Sequence, residues 1–332
     1  MKNATKTTSY FTVITLETTD TDAIGSWAIH FGDFDREVAD QEADDVAGSY
    51  GVKKAKVLRA TYSTAQADAQ AQCDTLNAKL QAKRDAQAAK VAATSAIIYE
   101  GPSLIDGAPI VAIATVGSSN SKTGDMVQTW IIRTDVAPID ANRTGLDFAI
   151  CGNCPHKGVV IEGAKMAQNR TCYVNIGQAP TSVYKAYKRG AYRTATTPAA
   201  LAAIGAGRMV RIGSYGDGAA VPADVWEGLK ADAKGHTAYS HQFDTAAAPS
   251  PSIYMHSADT LADAQNAWSA GRRTFRIVAD VAEIVKGSEI ECPSDRGVQC
   301  ADCGLCDGSK RAKSVAIVVH GTGAKHFTSA VQ

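Results

Sequence analysis

Seven of the eight cysteines fall into two groups whose spacing is that of metal ligands. The denser group is Cys292, Cys300, Cys303 and Cys306, four thiols within fifteen residues. The last three are spaced by two residues, with Gly304 inside a turn. Thiolates at this spacing converge on one centre while the backbone turns tightly, as tetrahedral zinc and iron–sulfur clusters both require. Four thiols saturate either one, so this centre reads as closed, and therefore structural or electron-carrying. The Cys-x2-Cys-x2-Cys core favours a [4Fe–4S] cube, because a zinc knuckle more often pairs Cys-x2-Cys with a distant second pair. The looser group is Cys151 and Cys154, with Cys172 beyond a gap of 17 residues. Three thiols leave one iron of a cube open. With His156 as a fourth ligand they close a Cys3His zinc site instead. Spacing alone leaves both open.

The rest of the composition bounds the setting. The chain has 332 residues, 34 basic against 34 acidic side chains, and 45% hydrophobic residues. That length supports one large domain and a small one. Zero net charge argues against a general polyanion binder, although a local basic patch is compatible with it. No signal-peptide pattern opens the sequence and no apolar run is long enough to span a membrane. The expectation is a cytoplasmic protein, where clustered cysteines are metal ligands more often than disulfides. Cys73 stands apart at a helical core position and reads as inert packing.

The elements that must position these residues follow from periodicity. Residues 1–90 read as a small α+β domain: a strand at Tyr10–Leu16, a helix from Asp33 to about Ala47, a strand at Lys56–Tyr62, and a long Ala/Gln-rich helix after Ser63. On that helix Ala69, Cys73, Leu76 and Leu80 form an apolar stripe that packs on the small sheet. Residues 91–96 form a linker. From 97 to 332 an antiparallel pair (Pro109–Val116 and Val127–Arg133) precedes six strands alternating with helical segments. The strands are Leu146–Ile150, Met209–Gly213, Thr237–His241, Ile253–His256, Thr274–Val278 and Ser314–His320. Such alternation predicts an α/β fold, a partial or distorted (βα)6 barrel-like domain with two cysteine metal clusters.

In a parallel sheet the site lies at the C-terminal strand ends, and chemistry-bearing residues gather there. Cys151 and Cys154 follow the first of the six strands. Gly213, Tyr215, Gly216 and Asp217 follow the second, in a glycine turn able to bring backbone N–H groups against a cofactor. His241 and His256 end later strands and, with Asp217, are candidate catalytic groups that orient a substrate. Tyr184 and Tyr187 interleave with Lys185, Lys188 and Arg189, a pattern suited to single-stranded nucleic acid through stacking and phosphate contact. The same segment also reads as an amphipathic helix with a solvated basic edge, and a nucleophilic role for either tyrosine is a third reading.

The motifs Cys151-Gly-Asn-Cys154-Pro-His156, Cys172-Tyr-Val-Asn175, Arg211-Ile-Gly-Ser-Tyr-Gly-Asp217 and Tyr239-Ser-His241, with the closing four-cysteine segment, resemble an uncharacterised family encoded by bacteriophages. More distantly the layout is similar to radical S-adenosylmethionine enzymes. Those have a six-unit partial βα barrel, a three-cysteine cluster after the first strand, a glycine-rich turn after the second and often a four-cysteine auxiliary cluster. In this sequence the gap before Cys172 replaces that family's compact spacing. The resemblance implies a phage metalloprotein acting on nucleic acid or nucleotides in the infected cell, with S-adenosylmethionine as a further cofactor. The alternative is a non-enzymatic, zinc-stabilised protein that binds nucleic acid or a host protein.

Overall fold

The computed structural model describes residues 8–19, 24–47, 49–92, 94–118, 120–309, 312–320 and 324–327. The chain divides into two compact units, Met1–Lys90 and Val91–Gln332. Among the described residues no helix is long and apolar enough to cross a membrane.

The first unit contains β1 (Ser9–Glu17), β2 (Ser26–Asp33), α1 (Arg36–Ala47), β3 (Val52–Thr61) and α2 (Ala65–Ala92). Its antiparallel sheet has the order β2-β1-β3. The central strand is buried continuously from Thr12 to Leu16, as a strand covered on both faces must be. Ile14 and Leu16 pack with Trp27 against Ala69, Cys73, Leu76 and Leu80, the expected helical stripe. Asn77 also clamps β2: its Oδ1 accepts from Trp27 N (2.7 Å) and its Nδ2 donates to Trp27 O (3.0 Å). Strand β2 was not legible in the sequence, because only its Trp27 is buried.

The second unit begins with three strands, β4 (Ala96–Pro102), β5 (Pro109–Thr115) and β6 (Val127–Arg133). Two short helices follow, α3 (Pro138–Thr144) and α4 (Phe148–Cys151), then α5 (Ala179–Lys188), β7 (Arg193–Thr194) and α6 (Pro198–Gly205). Next come β8 (Met209–Tyr215), α7 (Ala223–Lys230), β9 (Gly235–Thr237), β10 (Tyr239–Ser240) and β11 (Met255–Ala258). The chain closes with α8 (Leu261–Ser269), β12 (Thr274–Val278), β13 (Glu289–Glu291), α9 (Cys300–Cys303) and β14 (Ser314–Val318).

These strands form a mixed six-stranded sheet, β7-β4-β5-β6-β8-β9, and a five-stranded sheet, β10-β11-β12-β14-β13. The expected antiparallel pair is present, extended by β4. Beyond it β6, β8 and β9 run parallel, and every pair of the second sheet is parallel. One residue joins the two sheets. Ala238, between β9 and β10, donates to Cys306 O (3.0 Å) and accepts from Met255 N (2.9 Å).

One predicted strand is a helix. Leu146–Ile150 was expected to be extended, yet Phe148–Cys151 forms the single turn α4. Asp147 O accepts from Ile150 N and Cys151 N, and Gly145 and Gly152 (φ 79° and 51°) bracket the segment. Leu146 and Phe148 are exposed while Ala149 and Ile150 are buried side by side, which no alternating strand allows. The strand beside β8 is β6, so the parallel set starts one element earlier than the sequence pattern placed it.

Two polar devices stabilise the second sheet. Arg276 on β12 and Glu289 on β13 form a buried two-pronged ion pair (2.9 and 2.7 Å) that spans the intervening β14. Thr260 caps α8 in a reciprocal capping box, its Oγ1 accepting from Asp263 N and its N–H donating to Asp263 Oδ2, both at 3.1 Å. Thr260→Ala is expected to cost about 1 kcal/mol, read as a lower urea midpoint of the full chain.

Candidate metal centre

The gap before Cys172 is a tongue whose two ends are tied together. Val159 pairs with Gln168, and His156 O accepts from both Thr171 N (3.2 Å) and Cys172 N (3.0 Å). The return brings Cys172 beside Cys151 and Cys154. Burial pushes the Cys151 thiol well up, with Asp147, Cys154 and Cys172 adding to it. Burial also raises Cys172, against the pull of the Arg170 guanidinium. Arg170 donates to Cys172 O (3.3 Å) and Val174 O (2.6 Å), but its buried Nε has no hydrogen-bond partner. The Tyr215 hydroxyl is likewise buried without a partner, close enough to Cys151 and Cys172 to feel their charge. An open cleft of about 400 Å3 adjoins the group, lined by Gly152, Asn153, Cys154, Pro155, Lys157 and Asn169 among others.

His156, expected as the fourth thiol-centre ligand, is turned elsewhere. Its Nδ1 lies 2.6 Å from Thr171 Oγ1 and its Nε2 3.2 Å from Asp259 Oδ1. His241 Nε2 reaches the same Asp259 oxygen, also at 3.2 Å. Of the two histidines, His241 is the one near enough to Cys154 for the thiol to favour its charged form. Burial opposes the charging of His241, but Cys154 and Asp259 outweigh it and hold its pKa well above the usual value. Burial likewise raises Asp259, yet the hydrogen bonds from His156 and His241 keep its carboxyl far below the usual range. Among the described residues, these are the ligand atoms of three or more His, Cys, Asp or Glu that gather within 4.8 Å.

Asp259 escaped the sequence reading because β11 runs two residues further than expected. It ends at Ala258 rather than His256, so the strand-end position belongs to Asp259. His256 is packed as an aromatic instead. It stacks on Phe243 (4.9 Å, 5° between planes), and burial, then Arg272, lower its pKa. Its Nδ1 has no hydrogen-bond partner.

The glycine turn at the end of β8 is half-buried. A Cβ on Gly216 (φ 84°) would lie 2.9 Å from Ile131 Cβ and 3.3 Å from Ile150 O, so the glycine lets the turn approach β6 and α4. Gly213 (φ 75°) sits in a bulge whose backbone is satisfied by Thr129: Oγ1 accepts from Gly213 N (2.9 Å) and donates to Arg211 O (3.0 Å). Asp217 is fully committed to the protein. Oδ1 accepts from Ala219 N (3.0 Å), and Oδ2 from Ser240 Oγ (2.9 Å), His241 N (2.9 Å) and Gln242 Nε2 (3.4 Å). Gln242 in turn donates to Cys151 O (3.1 Å). Thus Asp217 ties the loop carrying His241 to the loop carrying Cys151.

The C-terminal thiols lie round a crevice of about 20 Å3 that all four line, together with Val315 and Leu305. Burial raises Cys306 and Cys300; Cys306 also feels the other three thiols and Arg211, and Cys300 feels Arg211, Cys292 and Cys303. Arg211 is within cation–π range of Tyr239 (5.8 Å), which places a fixed positive charge beside thiolates. Arg273 clamps the same loop by donating to the carbonyls of Leu305, Asp307, Ala312 and Lys313. Cys300 N and Ala301 N are bound by Lys122 O and Thr123 O, from the turn that joins β5 and β6.

No family model, no curated protein and no solved structure matches the chain. Its chemistry rests on its own residues.

The basic–aromatic helix turns its rings inward. Tyr184, Tyr187 and Tyr192 pack on the large core, leaving Lys185, Lys188 and Arg189 exposed. Tyr187 donates to Glu100 (2.6 Å), and burial, then that carboxylate, push its phenol up to about 12. A phenol held protonated in this way is the reverse of an activated nucleophile.

Proposed function

We propose that this chain is a metalloprotein of radical-S-adenosylmethionine-like architecture, with a working iron–sulfur centre on Cys151, Cys154 and Cys172. In this reading the C-terminal cysteines hold a structural zinc. The observation that carries it is the pair of buried, unpartnered donors, Tyr215 OH and Arg170 Nε, the first in the field of Cys151 and Cys172 and the second in that of Cys172. Buried donors call for an acceptor. The bridging sulfides of a cluster add acceptors to the cysteine sulfurs, which are all that a zinc site would offer. The strand order supports a partly closed barrel, because β6, β8 and β9 continue into β10, β11, β12 and β14 through Ala238. Four thiols on one loop segment can close a tetrahedral zinc, the structural kind of site.

A bound cluster with one iron free of cysteine supplies one-electron chemistry and a place for S-adenosylmethionine. The chain's own residues do the rest. Arg170 offsets thiolate charge, Gln242 fixes the Cys151 loop through its carbonyl, and His241 sets an imidazole beside Cys154. The cleft presents Asn153, Asn169, Lys157 and glycine backbone, a lining suited to a phosphate-bearing nucleotide or nucleic-acid end. Lys185, Lys188 and Arg189 offer a basic edge to a longer strand.

One observation favours a second reading. His241 at Cys154 could complete a Cys3His zinc site, and the protein would then be a zinc-stabilised binding protein. Protein purified without oxygen separates the two. About four irons with sulfide and one zinc per chain, with visible absorption that bleaches on reduction, is the expected result. Two zincs and no iron overturn it in favour of the second reading.

A further inference from the structure

His156, His241 and Asp259 converge from three segments: the turn after Cys154, the end of β10 and the end of β11. Both imidazoles direct Nε2 at one carboxylate oxygen, each at 3.2 Å. Ligands bound to a first-row cation at about 2.0–2.2 Å lie roughly 3–3.5 Å from one another, so the hydrogen-bond spacing seen here also fits a shared coordination shell. His156 also has Nδ1 occupied, by Thr171 Oγ1 at 2.6 Å. A ligating histidine typically donates its other ring N–H to such a partner, which fixes the tautomer with the lone pair on the metal-binding nitrogen. The side chains of His156 and His241 are 9% and 15% exposed and that of Asp259 24%, so the group is walled on the imidazole side and reached past the carboxylate.

We propose that His156 Nε2, His241 Nε2 and an Asp259 oxygen bind a single divalent first-row cation of the zinc, ferrous or manganese class, at a site distinct from both thiol groups. Two histidines and one carboxylate leave coordination positions for water or a substrate oxygen, the arrangement of open rather than structural sites. The proposal goes beyond the iron–sulfur reading and is incompatible with His241 as a fourth ligand of the thiol centre. Cys154 lies near enough to His241 to favour its charged form, which would make the two centres neighbours.

Cobalt(II) tests it, because cobalt on nitrogen and oxygen ligands lacks the strong sulfur-to-metal charge-transfer bands of cobalt on thiolates. The full chain, purified without oxygen, is titrated with cobalt(II), as are His156→Asn, Asp259→Asn and Thr171→Val. The expected result is one equivalent bound without thiolate bands, lost in the first two variants while iron, sulfide and C-terminal zinc content stay at the parent level. Thr171→Val keeps all three ligands and removes only the support behind His156, so it should weaken cobalt binding about ten-fold even if the other two variants misfold. Parent-like cobalt affinity in Asp259→Asn or Thr171→Val overturns the proposal. So does a titration whose bands are thiolate-type and vanish in Cys154→Ser. Absence of iron with the cobalt result intact would instead remove the iron–sulfur reading alone.

Discussion

Cys306→Ser is expected to remove one equivalent of zinc per chain and to lower the unfolding midpoint of the second unit steeply. Cys306 is the most buried thiol of its group and packs with Met255 and Val315. Its carbonyl accepts from Ala238, the residue at which one sheet passes into the other. Losing a ligand there therefore loosens the junction as well as the loop. A structural zinc contributes about 10–16 kcal/mol in peptides that fold only around it. Here Arg273 and the turn at Lys122–Thr123 hold part of the loop without metal. The loss should then be a fraction of that range, on the order of 3–5 kcal/mol. Chelation of the parent should reproduce the variant's midpoint, and Cys73→Ser should leave metal content unchanged. Full zinc in Cys306→Ser would mean that the C-terminal cysteines are not its ligands.

How far the sequence reached depends on which physical signal each element carries. The helical stripe from Ala69 to Leu80 and the strands at Met209, Thr274 and Ser314 have strong periodicity, and the structure has them within a residue or two. Phe148–Cys151 misled because its apolar residues run consecutively, a pattern that a buried strand and a short buried helix share. Gly145 and Gly152, the residues that bracket the turn, were the available correction. Asp259 was hidden by a boundary error of two residues, which at a strand end is enough to exchange one candidate for another. The ring direction of Tyr187 and the turning of His156 toward Asp259 depend on partners 87 and 103 positions away, Glu100 and Asp259. No local pattern records those.

Asp217→Ala is expected to destabilise the second unit by about 3–5 kcal/mol and to disturb the first thiol centre with it. The carboxylate accepts four hydrogen bonds from buried or half-buried donors, and alanine would leave Ala219 N, Ser240 Oγ, His241 N and Gln242 Nε2 to find others. A buried donor without a partner costs about 1–3 kcal/mol, and four that share one acceptor do not add independently. The functional consequence follows from what those donors carry. Freed from Asp217, the Ser240–Gln242 loop no longer holds His241 at Asp259 and Cys154, nor Gln242 at Cys151 O. Iron content and cobalt affinity should therefore fall together with the thermal midpoint. Asp217→Asn keeps the side-chain volume and one acceptor oxygen, and should lose less of all three. A substrate-orienting Asp217 would behave in the opposite way, with the alanine variant keeping its midpoint and its metals and losing only turnover. Thermal unfolding and metal analysis of the two variants side by side distinguish a carboxylate that builds the site from one that works in it.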